Sequence, residues 1–403
     1  MKPFAFASYA LYFLAGLVMT TVGSVMPQLL KHYELSYTDG GQLVFLSSVG
    51  FLLGVPFSAL IMSRLSVQNA LALACLTVTV SQLGIAALPP FGVVLLLNFI
   101  NSFGAATVEV TVAALMMEVF VGRRAVVMSY LEVSFGLGAL LMPIIASILI
   151  GNGVWSYSFF ITGTLALLLA VVWKKIVYSQ EGADVTEAAD AAEAAPPQHL
   201  SRVGKGLLLS LFLLMIFMYS GIEGSLNNFL SSIFIDYVGT AQNYAALSIG
   251  VFWAAMVLGR LATGWIIRKV NYSRFLLASM LGSLVIWTVF IVSHSAIASF
   301  LLIPALGLTL SGIYSITMVY ANHTFPGKAR VVTSLVTGFA GIGGAVFPAL
   351  VGYTMDRAAP AAALWLVAAY IAAYLLLLST VIMSYRKRAA VALEQGIDSK
   401  IWK

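Results

Sequence analysis

Apolar runs long enough to cross a hydrocarbon layer of about 30 Å recur twelve times along the chain, with polar breaks between them. The pattern predicts helical spans at 5–30, 40–63, 68–88, 91–118, 124–150, 155–174, 206–235, 243–268, 273–293, 296–322, 329–355 and 361–384. Most breaks are short. The exception, residues 176–204, contains EGADVTEAADAAEAAPPQ, which is rich in alanine and acids and has no apolar face. Such a segment reads as a partly helical or disordered linker. It divides the chain into a six-helix bundle (1–175), the linker (176–204), a second six-helix bundle (205–388) and a tail (389–403).

The two bundles repeat one another at a constant offset of 205 residues, as from Gly54 to Gly259. Gly16 matches Gly221, Arg64 matches Lys269, and Gly122-Arg123 matches Gly327-Lys328. Gly136, Gly138 and Pro143 match Gly341, Gly343 and Pro348. Both bundles start and finish on the same side, so the repeats are parallel, about an axis along the membrane normal. Small residues in mid-span let helix backbones approach closely, which marks these glycines as scaffold rather than as a nucleotide cradle. The fold class is an all-α membrane protein with 12 transmembrane helices.

Composition sharpens this picture. The chain is 61% hydrophobic and only 9% charged, against about 25% charged in soluble domains. A single Cys75 excludes an internal disulfide or a CxxC site. The histidines, His32, His199, His294 and His323, fall at span ends or in loops, so no metal site is expected. Phosphate loops, zinc spacings and a Ser-His-Asp set are absent, and neither an enzyme activity nor a cofactor is expected. The net charge of +6 would suit an acidic partner such as nucleic acid, but its distribution speaks otherwise. Arg123-Arg124, Lys174-Lys175, Arg268-Lys269 and Arg386-Lys387-Arg388 share one side with most other cations, whereas the opposite side has Lys31 and Arg357. By the positive-inside rule both termini are cytoplasmic. The first apolar run continues too long for a signal peptide and lacks a cleavage site, so it is expected to stay in place. The expected setting is the cell membrane, multi-pass, as a monomer.

Against that scaffold the intramembrane acids stand out. Glu109 and Glu132 flank the basic turn Gly122-Arg123-Arg124. At about 1.5 Å of rise per residue they lie roughly 20 Å and 13 Å along their helices from Arg123, near the middle of the layer. A charge at that depth costs about 3 kcal/mol on the mildest scale. The offset sets Glu109 against Tyr314, Glu132 against Thr337, and a third acid, Glu223, against Val18. The fold therefore does not need the acids. Arg260 is the one cation at comparable depth, which leaves an ion-paired structural role as a thin alternative to proton carriage by Glu109 and Glu132.

Span seven adds a polar stripe. Tyr219, Glu223, Asn227 and Ser231 recur every four residues and share one face, with Asn228 beside it. Such a face avoids lipid. It lines either a cavity that binds a polyhydroxylated ligand or a polar seam between helices. Asn101 on the fourth span, Trp253 on the eighth and Tyr314 on the tenth complete the candidate substrate set, the two rings as stacking surfaces or as packing.

At these residues the sequence resembles the major facilitator superfamily, and within it the bacterial glucose/mannose:proton symporters of the fucose–galactose–glucose:proton symporter group. The likeness runs through most of the chain. It is densest at Thr107-Val-Glu109-Val-Thr111, Leu131-Glu132-Val-Ser-Phe135-Gly-Leu-Gly138-Ala-Leu140, Tyr219-Ser-Gly-Ile-Glu223, and Phe252-Trp253 with Gly259-Arg260. The resemblance implies proton-coupled sugar uptake by alternating access, with the fourth-span glutamate, here Glu109, in proton coupling. Two departures matter. The first span has no acid between Phe4 and Leu30, which speaks against fucose. The loop after the second span carries Ala59, Ser63 and Arg64 where the superfamily pattern has a glycine, an acid and a base. A proton-driven drug or metabolite exporter of the same fold remains the second reading, and a receptor with a dead cavity the third.

Overall fold

The computed structural model describes residues 3–120, 124–176, 202–293, 295–325 and 328–394. Residues 177–201 of the predicted linker, the tail beyond Glu394, and Gly122 and Arg123 of the basic turn lie outside them. The described residues form thirteen helices: α1 Pro3–His32, α2 Tyr37–Arg64, α3 Val67–Ala86, α4 Phe91–Val119, α5 Arg124–Gly151, α6 Tyr157–Lys175, α7 Arg202–Asp236, α8 Gln242–Ile266, α9 Tyr272–Ser293, α10 Ala296–Leu310, α11 Ile313–Thr324, α12 Ala329–Arg357 and α13 Pro360–Glu394. They make 12 spans long and apolar enough to cross a membrane. The tenth was expected to be continuous, but it breaks between α10 and α11 at Ser311-Gly312. A Cβ on Gly312 would come within 2.6 Å of Thr263 Oγ1 and 2.8 Å of Phe275 Cζ. The break sits where the chain presses against α8 and α9.

Serine and threonine hydroxyls inside the spans mostly turn back on their own helix. Thr21 donates to Leu17 O at 2.7 Å and Ser225 to Gly221 O at 2.7 Å. Donors that cannot reach water are satisfied this way at little structural cost. Local signals also start the helices. Ser36 opens α2 with a reciprocal capping box to Asp39, and Ser66 and Ser295 cap α3 and α10.

The repeat read from the glycines is present as packing. A Cβ on Gly16 of α1 would lie 2.0 Å from Phe135 O on α5, and one on Gly138 of α5 would lie 2.0 Å from Phe13 O on α1. Their counterparts do the same in the second half. Gly343 of α12 meets Phe217 O of α7 at 2.1 Å, and Gly221 of α7 meets the Phe347 ring. The offset extends to contacts between halves. Gly136 of α5 sits on Val257 of α8, and Gly341 of α12 sits on Leu52 of α2, a pair that the 205-residue shift interchanges. Lipid provides no hydrophobic drive between helices, so close backbone packing supplies much of the cohesion.

Twelve crossings return the chain to the side on which it began. The two halves also meet toward the opposite, far side. There a Cβ on Gly41 of α2 would lie 2.9 Å from Ala349 Cα of α12, and one on Gly23 of α1 would lie 2.0 Å from Asn227 O of α7. Helix α4 packs on α1, α2, α3 and α5, while α11 packs on α7, α9 and α12. Each of these helices packs chiefly within its own half.

Candidate functional site

Four helices, α4, α5, α7 and α8, bring the mid-span charges together at the junction of the halves. Arg260 of α8 extends between α5 and α7. Its Nη1 lies 3.3 Å from Glu132 Oε2 and its Nη2 lies 3.4 Å from Glu223 Oε1. Both pairs are longer than the 2.7–2.9 Å or so of a tight charge-assisted bond. Side-chain exposure is 27% for Arg260, 15% for Glu223 and 53% for Glu132. The pair with Glu132 is thus open and the pair with Glu223 sheltered. The ion-paired alternative is realised at Glu132 and Glu223, because α8 passes between the two acidic helices and turns Arg260 toward both.

Glu109 of α4 is different. It lies within electrostatic reach of Glu132, and Tyr12 of α1 donates its hydroxyl to the Glu109 backbone carbonyl at 3.1 Å. Its carboxylate has no hydrogen bond or ion pair with any described residue. Among the described residues one guanidinium serves two carboxyls, and the third, Glu109, stands unpaired.

Trp253 carries the cluster toward the far side. The Arg260 guanidinium lies 5.5 Å from the centre of its ring, a distance at which the cation is drawn to the π face. Phe135 of α5 meets the same ring edge-on at 6.0 Å. Trp253 Nε1 donates to Asn227 Oδ1 at 2.9 Å, and Asn227 Nδ2 donates to Met19 O of α1 at 3.2 Å. One turn on, Ser231 donates to Gly23 O at 2.6 Å. Of the two roles the sequence leaves open for the α7 stripe, Asn227 and Ser231 take the seam, and the seam joins the two halves. Trp253, Asn227 and Tyr219 are buried here, with Tyr219 donating to Leu310 O at 3.1 Å. Glu223, Asn228 and Tyr314 keep partial exposure. Asn228 donates to Gly224 O at 2.8 Å, and the Tyr314 and Tyr219 ring centres are 6.4 Å apart.

Asn101 does not join this group. It accepts from Gln82 of α3 at 3.1 Å, and Gln82 Oε1 accepts from Thr162 of α6 at 3.1 Å. The three form a buried polar knot inside the first half. Tyr12 is a neighbour of Glu109 that sequence reasoning missed. Its phenol on an otherwise apolar helix, without a counterpart acid nearby in the chain, offers little signal.

The sequence pattern of the Major Facilitator Superfamily matches residues 9–348. The chain is 28% identical over 355 residues to the glucose/mannose transporter GlcP of Bacillus subtilis, covering 87% of each protein. It is 24% identical over 273 residues to the fosmidomycin resistance protein of Escherichia coli, covering 66% of this chain and 65% of that one. The fold superposes on the xylose transporter XylE from E. coli in a partially occluded inward-open conformation with a TM-score of 0.71, at 14% identity, over 94% of this chain and 99% of that one. Twelve apolar spans in two glycine-matched halves, the family pattern and these likenesses agree: the chain belongs to the major facilitator superfamily and is a multi-pass membrane transporter.

Proposed function

We propose that this transporter takes up a hexose of the glucose/mannose type together with protons, by alternating access, across the cell membrane. The observation that carries the reading is the cluster at the junction of the halves, where Arg260 faces Glu132 and Glu223 and the unpaired Glu109 lies within electrostatic reach of Glu132. Three carboxyls against one cation in a low-dielectric setting carry excess negative charge that protons can neutralise. Glu109 and Glu132 are the proton carriers in this reading. Protonating Glu132 removes its attraction for Arg260 and loosens the tie between α5 and α8. Glu223, Asn228 and Tyr314 offer an acid, an amide and a ring to a sugar. Tyr219, Asn227 and Trp253 reach it in a state in which the α1–α7 seam has parted. The likeness to GlcP over 87% of the chain supports the hexose class. In this reading both termini are cytoplasmic, as the lysine and arginine bias favours, and the arrangement seen here is closed to the outside.

The likeness to a fosmidomycin resistance protein favours a second reading, export of a drug or metabolite against protons. Purified transporter in proteoliposomes separates the two. Glucose or mannose counterflow with alkalinisation of the medium on sugar entry supports symport. Proton movement with fosmidomycin and none with any hexose overturns it.

A further inference from the structure

The first turn of α2 is held partly by its own cap and partly by the other half of the molecule. Helix starts leave four amides without intrahelical partners. Here Ser36 N is met by Asp39 Oδ2 at 3.0 Å and Asp39 N by Ser36 Oγ at 3.3 Å. The remaining pair reaches across the junction. Tyr37 N donates to Asp356 Oδ1 at 2.9 Å and Thr38 N to Asp356 Oδ2 at 2.5 Å, and the Thr38 hydroxyl donates to the same oxygen. Asp356 closes α12, 318 residues further along the chain. A second acid of the same half, Asp236 at the end of α7, accepts from the Tyr37 hydroxyl. All these groups lie on the far side, where the halves are closed.

Among the described residues the arrangement occurs once. The repeat offset puts Gly151 where Asp356 stands and Gln242 where Tyr37 stands. On that edge the contact between halves is a neutral amide pair, Gln28 Nε2 to Gln242 Oε1 at 3.4 Å. A carboxylate bound to paired helix-start amides also gains from the helix dipole, so the two edges differ in strength.

We infer that Asp356, assisted by Asp236, is the latch that keeps the far side of the transporter shut, and that opening there proceeds by releasing the start of α2. The inference rests on alternating access and not on the identity of the sugar.

Thiol labelling tests it without any substrate. In a Cys75→Ser chain in nanodiscs, a Gln28→Cys reporter lies buried behind the latch and should react slowly with a soluble maleimide. Asp356→Asn should raise that rate about tenfold, the loss of one charge-assisted bond's worth of closure, and Tyr37→Phe should raise it less. Unchanged rates in both variants overturn the latch. Tyr37→Phe removes a single hydroxyl and keeps the assay decisive should the Asp356 variant fold poorly. A Thr38→Cys, Asp356→Cys pair gives an independent reading. Oxidation should stop hexose counterflow and reductant should restore it, whereas an oxidised pair that still exchanges overturns the proposal. A reduced pair without counterflow in any hexose speaks against the sugar, and labelling then decides the latch alone.

Discussion

Arg260 on α8 lies 3.3 Å from Glu132 on α5, and this pair ties the two halves of the transporter at mid-depth. The same guanidinium reaches Glu223 of its own half at 3.4 Å. The two links differ in shelter, and so in strength. Glu132 is half exposed, and exposed pairs contribute about 0–1 kcal/mol. Glu223 is mostly enclosed, and hydrogen bonds to charged groups contribute about 1.5–3 kcal/mol. Double-mutant cycles on thermal unfolding in detergent should therefore give a larger coupling for Arg260 with Glu223 than with Glu132. The reverse order would show that the α5–α8 tie is more enclosed than it stands here.

The Glu109 carboxylate has no partner among the described residues. Glu109→Gln keeps its shape, and its effect on stability should stay within about 1 kcal/mol. If Glu109 carries the proton, the variant exchanges sugar in counterflow at near the parent rate but no longer accumulates it against a gradient. Retained accumulation driven by a proton gradient would remove Glu109 from the coupling.

Much of the fold is legible in the sequence because it depends on properties that act along a single helix. Span length and apolar content locate the twelve crossings, and residues at tight crossings must be small whatever surrounds them. This is why Gly16, Gly138, Gly221 and Gly343 announce the repeat. The site is less legible because its chemistry depends on how helices are rotated against one another. Depth along a span shows that Arg260 and the acids are level. Whether Arg260 faces Glu132, Glu223 or Glu109 depends on the settings of α4, α5, α7 and α8. The α7 stripe shows the same limit. Its residues share a face, as their spacing requires, but α1 covers Asn227 and Ser231. The cap of α2 by Asp356 is further still from local signals, since the chain supplies its own capping box a residue away.

Asn101 is positioned to hold the first half together. Replacing it with alanine leaves the Gln82 amide without its acceptor inside a buried three-helix knot. An orphaned buried polar group costs about 1–3 kcal/mol. Asn101→Ala should lower the unfolding midpoint while leaving the KM of the surviving transporter unchanged. A raised KM at unchanged stability would return Asn101 to the substrate site.

The glycine pairs allow the repeat itself to be tested as energetics. A Cβ on Gly138 would stand 2.0 Å from Phe13 O, and one on Gly343 would stand 2.1 Å from Phe217 O. In both cases the obstacle is backbone, which yields less readily than a side chain. Overpacking of this kind costs about 1–3 kcal/mol, and close helix contact is a principal source of cohesion in lipid. Gly138→Ala and Gly343→Ala should therefore destabilise by similar amounts. Gly264→Ala, with open space around its Cβ, should be neutral or mildly stabilising, since alanine is the better helix former by roughly 1 kcal/mol. Thermal unfolding of the three single variants measures this directly. Matched losses at 138 and 343 would show that the two halves share the physical basis of their packing as well as its geometry. A loss at one position alone would show that the second crossing has slack that the first lacks.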